Sequence, residues 1–259
     1  MLFDGRQRAR SLQDKLANQN VGGELVVVAI DPDPASMSYM RIKETVGERM
    51  GIPVRIDSVS APSATLHVRE IANYDSVGGI VVQLPLPSAV DTESLLAAIP
   101  RTKDPDALGP DPIVLSPVAR AVLDIVSTTD IRFADAQVVV IGRGRLVGKP
   151  VADALYAKGA HLTIVDEHTN QEDLEVTLKN ADLIISGAGV PGLIQPHMLK
   201  RGVVLIDAGT SEQGGVIVGD ADPACESLCS LMTPVPGGVG PLAVTMLFAN
   251  YIDLWNLRQ

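Results

Sequence analysis

Two side chains that can take part in proton transfer stand four residues apart in the segment SYMRIK, residues 38–43. Residues at positions i and i+4 of an α-helix project from the same face, and the stretch from residue 35 to residue 50 has helical spacing. Tyr39 and Lys43 can therefore form a phenol and ammonium pair with acid/base chemistry. The same spacing also occurs on solvent-exposed helix faces that do no chemistry, so the spacing alone leaves both interpretations open.

A glycine-rich loop follows a strand-like run in the second half of the chain. The run VVVIG leads into GRGRLVGKP, residues 142–150, and then into the helix-like segment VADALYAKG. Such a loop lets the backbone approach a pyrophosphate, whose charge the helix N-terminus stabilises. The candidate cofactor-binding residues are Gly142, Gly144 and Gly148. Their spacing is one residue longer than the usual dinucleotide fingerprint, and a tight turn would also favour glycine.

The end of the next predicted strand contains residues that can select between the two nicotinamide dinucleotides. An acid there accepts a hydrogen bond from the ribose 2′-hydroxyl of NAD, whereas basic groups bind the 2′-phosphate of NADP. This chain has Asp166 and Glu167 at that point, and these favour NAD. Arg143 in the glycine loop favours NADP. The two acids are also compatible with ordinary exposed loop charges.

The elements that would position these groups alternate between strand-like and helix-like patterns along the whole chain. Such alternation is typical of parallel βαβ units and predicts an α/β fold. The first half is predicted to form strands at residues 24–30, 54–59 and 78–84, with helices near residues 35–50, 64–74 and 91–98. The second half is predicted to form a nucleotide-binding series of strands at residues 136–142, 161–166, 181–187 and 202–209.

A loop rich in Pro, Gly and Asp, residues 100–112, separates the two series and precedes a predicted helix from Pro117 to about Ser127. The apolar helix from Gly240 to about Leu257 is expected to pack back on the first series. We therefore predict a discontinuous first domain, residues 1–116 and 238–259. A Rossmann-like dinucleotide-binding domain would comprise residues 117–237, with a cleft between the two domains.

Composition excludes several classes of protein. With 21 basic and 31 acidic side chains and a net charge of −10, the chain has no excess of cations for binding nucleic acid. No apolar run approaches the roughly 18 to 20 residues of a membrane span, and the first twenty residues are typical of an amphipathic helix and not of a signal peptide.

Cys225 and Cys229 are spaced i and i+4 in a predicted helix, where a disulfide would be strained, so we expect a reduced, cytoplasmic protein. The four histidines lack ligand spacing, and no metal site is predicted.

Two further segments have unusual compositions. GGIVVQLPLP occupies residues 78–87, and TPVPGGVGP occupies residues 233–241. Together with SYMRIK and GRGRLVGKP, in this order and at these separations, they resemble the methylenetetrahydrofolate dehydrogenase/methenyltetrahydrofolate cyclohydrolase family over nearly the whole chain. Short-chain dehydrogenases also have a Tyr-x-x-x-Lys pair, but they carry it after the glycine loop, whereas here it comes first.

The resemblance implies a homodimeric enzyme of one-carbon folate metabolism and purine biosynthesis, with a catalytic, folate-binding first domain. It implies oxidation of 5,10-methylenetetrahydrofolate with NADP or NAD, and hydrolysis of the methenyl product to 10-formyltetrahydrofolate. The matching residues fall into three groups: catalytic (Lys43, Tyr39, Gln83, Asp106), substrate-binding (Tyr39, Asp106, Pro236, Gly237) and cofactor-binding (Gly142, Arg143, Gly144, Gly148, Asp166, Glu167, Thr210).

The chain departs from the family pattern in the loop around Asp106 and at the cofactor site. Ala107 stands where the family has the glycine of a Lys-Asp-x-Asp-Gly run, which makes Asp104 an alternative ligand. Gly144 replaces a usual serine, and Asp-Glu-His at residues 166–168 replaces a frequent His-Ser-Arg, which weakens the expectation of NADP. Three alternatives stay open: a cyclohydrolase without dehydrogenase activity, a non-catalytic folate-binding relative, and another Rossmann dehydrogenase acting on a small acid.

Overall fold

The computed structural model describes residues 1–17, 19, 21–32 and 34–258, and for residues 34–36, 38 and 39 it describes the backbone only. The chain forms two compact units. The three-stranded unit, so called after its sheet, comprises Arg10–Pro117 and Val244–Gln259, and the five-stranded unit comprises Met1–Ala9 and Val118–Ala243. This division groups residues 1–9 and 238–243 with the five-stranded unit, whereas the sequence analysis places them in the first domain.

The first part of the chain alternates helices and strands. The elements are α1 (Gly5–Leu16), β1 (Glu24–Ile30), α2 (Pro34–Met50), β2 (Val54–Val59), α3 (Ala64–Ile71), β3 (Val77–Val82) and α4 (Thr92–Leu96). The strands form a parallel sheet in the order β2-β1-β3. The central strand, β1, is a continuous apolar run, as expected for a parallel strand covered on both faces.

The second part contains the larger sheet. Its elements are α5 (Pro117–Val126), β4 (Val138–Ile141), α6 (Gly148–Ala157), β5 (Leu162–Val165), α7 (Gln171–Asn180), β6 (Leu183–Ser186), β7 (Val203–Asp207), β8 (Ser211–Gln213), β9 (Val216–Val218), β10 (Cys229–Met232) and α8 (Val239–Asn256). The parallel sheet has the order β10-β7-β6-β4-β5, and β8 and β9 form a separate antiparallel hairpin.

Alternate residues of β1 face different parts of the core in the three-stranded unit. Val26, Val28 and Ile30 pack in the cluster that contains residues of α3, β3 and α4. Leu25, Val27 and Ala29 pack in a second cluster with α2 and with residues of α8 such as Phe248 and Tyr251. The period of two along the strand thus distributes one apolar run between two packed layers.

The structure confirms the predicted α/β fold and most of its elements. The predicted strands at residues 24–30 and 54–59 coincide with β1 and β2, and the long terminal helix is α8. Two details of the sequence analysis are wrong. β8, β9 and β10 were not predicted: β8 and β9 have three residues each, and β10 lies where the sequence analysis expects a helix with Cys225 and Cys229. Cys225 and Cys229 do not share a helix, since a 3-10 helix ends at Leu228 and Cys229 opens β10; both thiols are free.

Within the described part of the chain, no helix combines the length and the apolar character needed to cross a membrane.

Candidate active site

Lys43 and Gln83 are brought together from distant parts of the three-stranded unit. Lys43 lies in α2, and its Nζ donates a hydrogen bond to Oε1 of Gln83 at 2.6 Å. Gln83 follows the last residue of β3, and its backbone N–H continues the ladder by donating to the carbonyl of Val28. Its side-chain Nε2 donates to the carbonyl of Leu84 at 2.7 Å. That second bond orients the amide so that its oxygen accepts from the ammonium.

The electrostatic environment perturbs both titratable members of this site. Burial lowers the pKa of Lys43, and the negative charge of Asp106 acts in the opposite direction. Burial raises the pKa of Asp106 to about 6, against the effect of Lys43 and with a further increase from Asp104. Each charged form is therefore costly alone and is stabilised by the other. A lysine with a lowered pKa and a carboxyl group that titrates near neutrality are suited to acid/base chemistry.

Asp104 faces the backbone of its own loop. Its side chain is buried, and Oδ2 accepts a hydrogen bond from the N–H of Gly109 at 2.7 Å. Backbone N–H groups of residues 106–109 lower its pKa, but burial outweighs them and the net shift is upward. Within the described residues, Oδ1 has no hydrogen-bond partner. Asp104 thus organises the loop, and Asp106 is the carboxyl group that interacts with Lys43.

Ala107 adopts a left-handed backbone conformation, with φ of 55°. Glycine reaches this region without steric cost, whereas a Cβ atom crowds the following carbonyl oxygen. The loop therefore has the handedness for which glycine is best suited, although this chain has alanine at that point. Alanine at this position therefore carries backbone strain that glycine would not.

The side chain of Tyr39 lies outside the described residues. Its backbone belongs to α2, one turn before Lys43, as the helical spacing predicts. The proposed pairing of the phenol with the ammonium stays a prediction.

Pro236 and Gly237 belong to the five-stranded unit and precede α8. They line an open pocket of about 240 Å³ together with Leu2, Phe3, Asp4, Arg6 and Pro234. Gly237 has φ of 114°, and a Cβ atom there would lie 3.6 Å from Nε of Arg6. Arg6 was not selected from the sequence, because its proximity to this loop depends on how residues 1–9 pack in the unit.

The glycine loop has the close backbone packing that a dinucleotide site requires. Gly142 has φ of 95°, and a Cβ atom on Gly148 would lie 2.0 Å from the carbonyl oxygen of Gly142. These two glycines are thus needed to close the turn onto α6. A Cβ atom on Gly144 would have no atom within 4 Å, so the backbone there is open to a ligand. The exposed loop before the N-terminus of α6 fits a pyrophosphate.

Arg143 and Asp166 form an ion pair beside this loop. Nε of Arg143 donates to Oδ2 of Asp166 at 2.6 Å, and this bond is the main reason that the pKa of Asp166 is lowered. The side chain of Glu167 is 82% exposed. Thr210 is exposed immediately before β8. The structure therefore brings Arg143 and Asp166 into direct contact.

Two buried carboxylates that the sequence analysis did not select hold the loops at the ends of β6 and β7. Oδ2 of Asp220 accepts from the hydroxyl of Ser186 at 2.6 Å and from the N–H of Ala188 at 2.8 Å, while Oδ1 accepts from Val190. Asp207 accepts from the N–H groups of Gly209 and Ala221, and burial raises its pKa to about 6. The sequence offers one signal for each of them. Asp207 lies at a strand end, in IDAGT, and Asp220 lies in the GDAD segment that follows.

Two domain models of one known protein family match the two parts of the chain. The catalytic-domain model of the tetrahydrofolate dehydrogenase/cyclohydrolase family matches residues 3–106, and the model of its NAD(P)-binding domain matches residues 116–259. The chain belongs to the tetrahydrofolate dehydrogenase/cyclohydrolase family. The resemblance carried by the four ordered motifs is thereby confirmed, as is the prediction of a nicotinamide dinucleotide as cofactor.

Relatives of this family match the chain from end to end. The bifunctional protein FolD of Exiguobacterium sibiricum is 36% identical, over 98% of this chain and 98% of that protein. The crystal structure of the bifunctional FolD enzyme of Campylobacter jejuni superposes with a TM-score of 0.93 at 29% identity, covering 100% of this chain and 99% of that one. The Trypanosoma brucei dehydrogenase-cyclohydrolase, solved with NADP and an inhibitor, has a TM-score of 0.91 at 28% identity, with coverage of 100% and 98%.

Proposed function

We propose that the protein oxidises 5,10-methylenetetrahydrofolate with a nicotinamide dinucleotide and hydrolyses the 5,10-methenyl product to 10-formyltetrahydrofolate. The observation that carries the proposal is the contact between Lys43 and Gln83, with Asp106 close enough to perturb the lysine, in a chain that matches both domains of the family. A non-catalytic folate-binding protein would have no need of a lysine with a lowered pKa.

In the hydrolysis, Lys43 acts as the general base and acid. In its neutral form, which burial favours, it accepts one proton from water as the new carbon–oxygen bond forms at the methenyl carbon. It returns that proton to N5 of the folate as the bond between N5 and this carbon breaks. The second proton of the water leaves for solvent, which balances the loss of the positive charge of the methenyl group. Gln83 holds the amine in place through its 2.6 Å hydrogen bond.

Asp106 binds the folate. As a carboxylate it accepts hydrogen bonds from the amino and N–H groups of the pterin edge, and two such bonds fix the orientation of the ring. Pro236 and Gly237 supply backbone that closes on the folate, and Tyr39 contributes its phenol to the substrate site. These roles are carried over from the family motif and go beyond the contacts among the described residues.

The dinucleotide is held by the five-stranded unit. When bound, its nicotinamide ring supplies the acceptor for the hydride that leaves the methylene bridge. Gly142, Gly144 and Gly148 let the backbone approach the pyrophosphate at the N-terminus of α6. The ribose of the adenosine is placed near Arg143, Asp166 and Glu167, with Thr210 as a further contact.

We further propose that the protein is a cytoplasmic homodimer without a nucleic-acid partner. In support, the hairpin of β8 and β9 exposes Val216 and Ile217, whose side chains would be covered by a second copy. The two buried free cysteines suit a reducing compartment, and the net charge of −10 disfavours phosphate backbones. Light scattering of the purified protein at micromolar concentration tests the dimer, and a monomer mass would contradict it.

The activity is tested by two separate assays with the purified protein. Methylenetetrahydrofolate is mixed with NAD or with NADP, and formation of the reduced dinucleotide is followed by absorbance. Hydrolysis of the methenyl compound is followed without any dinucleotide. Inactivity in both assays would overturn the proposal. Hydrolysis without dinucleotide reduction would establish the cyclohydrolase-only alternative.

Lys43→Met tests the assigned base. We expect methenyl hydrolysis to fall by at least about 100-fold, because a positioned acid/base group contributes on the order of 10² to 10⁴ to the rate. Folate binding should persist. Arg41→Met removes a cation from the exposed part of the same helix and should leave hydrolysis unchanged. Equal rates for the wild type and Lys43→Met would show that SYMRIK is an ordinary helix surface.

A further inference from the structure

Asp166 occupies the strand end at which dinucleotide-binding folds contact the adenosine ribose. It directly follows β5, whose last residue, Val165, pairs with Ile141 at the end of β4. The N–H of Gly142 donates to the carbonyl of Val165 at 2.8 Å. The first glycine of the loop and Asp166 therefore lie side by side at the carboxyl edge of the sheet.

The carboxylate of Asp166 is fixed by several contacts. Oδ2 accepts from Nε of Arg143, and Oδ1 accepts from the N–H of His168 at 3.1 Å. The backbone N–H of Asp166 donates to Oγ1 of Thr169 at 3.2 Å. The Asp166 side chain is only 16% exposed, whereas that of Arg143 is 63% exposed. The arginine is thus held by a carboxylate that the strand end itself positions.

This arrangement removes the advantage that Arg143 would give to a 2′-phosphate. The charge of Arg143 is offset by Asp166, and Glu167 adds a second carboxylate at the same strand end. Lys149, in the first turn of α6, is paired with Asp153 at 2.8 Å. A phosphate would have to displace Asp166 from Arg143 and would meet its negative charge, whereas a 2′-hydroxyl can donate to the free lone pairs of the carboxylate.

We propose that Asp166 makes this enzyme select NAD over NADP, because it engages Arg143 and places a carboxylate where the 2′-phosphate would lie. The inference rests on the proposed dehydrogenase function and deepens it by naming the dinucleotide and the residue that selects it. Glu167 contributes less, because its side chain is 82% exposed.

The test measures equilibrium binding of NAD and NADP to the purified full-length protein by isothermal titration calorimetry, without folate. We expect the wild type to bind NAD at least about tenfold more tightly, since the 2′-phosphate would be placed beside a carboxylate of like charge. Asp166→Asn should tighten NADP binding and weaken NAD binding, so that the ratio changes by about tenfold or more. Glu172→Gln, at the exposed start of α7, removes one negative charge as a control and should leave the ratio unchanged.

A second substitution tests the part assigned to Arg143. In the background of Asp166→Asn, Arg143→Gln should abolish the gain in NADP binding, because the released guanidinium is the group that binds the phosphate. Tighter binding of NADP by the wild type, or an unchanged ratio in Asp166→Asn, would overturn the inference and leave the proposed function intact. Failure of both dinucleotides to bind would overturn the inference together with the dehydrogenase, while methenyl hydrolysis would still report on the other activity.

Discussion

Lys43 is hydrogen-bonded to Gln83, and Lys43 and Asp106 each affect the pKa of the other. Lysine has a pKa far above neutrality in water, and a carboxyl group has one far below it. Burial shifts both toward neutrality, and their mutual attraction limits each shift. A lysine with a lowered pKa and a carboxyl group with a raised pKa exchange protons with a substrate more readily than the same groups do on an exposed surface.

Folate binding should weaken as the pH falls through about 6, the pKa of Asp106. The proposed pterin contact uses the ionised carboxylate, so proton uptake would compete with the ligand. Below this pKa, the apparent dissociation constant should rise by about tenfold per pH unit. Fluorescence titration with tetrahydrofolate from pH 5 to pH 8 measures the effect. Asp106→Asn should bind more weakly and lose this pH dependence; a dependence that persists in the variant would assign it to another group.

Asp104→Asn should move that midpoint to a lower pH. The negative charge of Asp104 raises the pKa of Asp106, so its removal lowers that pKa and extends folate binding into more acidic solution. Asparagine retains an oxygen that can accept from the N–H of Gly109, the contact that organises the loop. The same titration repeated with the variant gives the shift. A midpoint that stays near 6 would mean that the two carboxyl groups do not interact.

At the scale of elements, the loop that carries Asp106 is held by a residue far along the chain. Nδ2 of Asn250, in α8, donates to the carbonyl of Pro105 at 2.7 Å and to that of Leu115 at 2.8 Å. Asp104 binds the loop from within, and Ala107 gives it the left-handed turn. Asp106 is therefore presented by a loop whose shape is determined by backbone contacts, and that shape tolerates an alanine where glycine would be less strained.

Ala107→Gly should stabilise the protein by up to about 1 kcal/mol. Relief of the left-handed strain, about 1–2 kcal/mol, exceeds the extra entropy that glycine adds to the unfolded chain. Ala97→Gly is the matched control, because Ala97 is exposed with φ of −67° and its substitution should destabilise. Urea unfolding of both variants measures the two free energies. A loss of stability in Ala107→Gly equal to that of the control would show that the turn carries no strain.

At the scale of the whole molecule, the chain crosses between its units more than once. The residues that complete the core of the three-stranded unit include Leu247, Phe248, Tyr251 and Ile252 of α8, more than 200 residues after β1 begins. Tyr251 also donates its hydroxyl to the carbonyl of Gly22 at 2.7 Å. This unit can therefore complete its core only when the last helix is in place.

Phe248→Ala should lower the free energy of unfolding by about 3–5 kcal/mol, the usual cost of deleting a fully buried phenyl ring. Leu257→Ala, near the exposed end of the chain, removes apolar atoms that are already in contact with water and should change it by less than about 0.5 kcal/mol. Guanidinium unfolding followed by circular dichroism compares the two. Similar small losses for both would mean that α8 is not part of a cooperative core.

Much of the architecture could be predicted from the sequence because it depends on local patterns. β1 and β2 lie within the predicted bounds, and four ordered motifs were sufficient for the family. β8 and β9 escaped prediction, because three residues contain too little periodicity to distinguish a strand from a loop. Arg6, Asp207 and Asp220 were also missed, since only tertiary packing places their side chains at the loops that they contact.

The sequence by itself determined the α/β class, the order of the elements and the types of residue available for chemistry, because these follow from periodicity and from residue identity along neighbouring positions. Only the tertiary structure decided which of these residues meet. In the sequence, Asp166 and Glu167 favour NAD and Arg143 favours NADP. In the structure, Arg143 donates a 2.6 Å hydrogen bond to Asp166, so the guanidinium that would favour NADP is engaged by a carboxylate that favours NAD. The physical reason is that charge, burial and hydrogen bonding act over a few ångströms in space, whatever the separation of the residues along the chain.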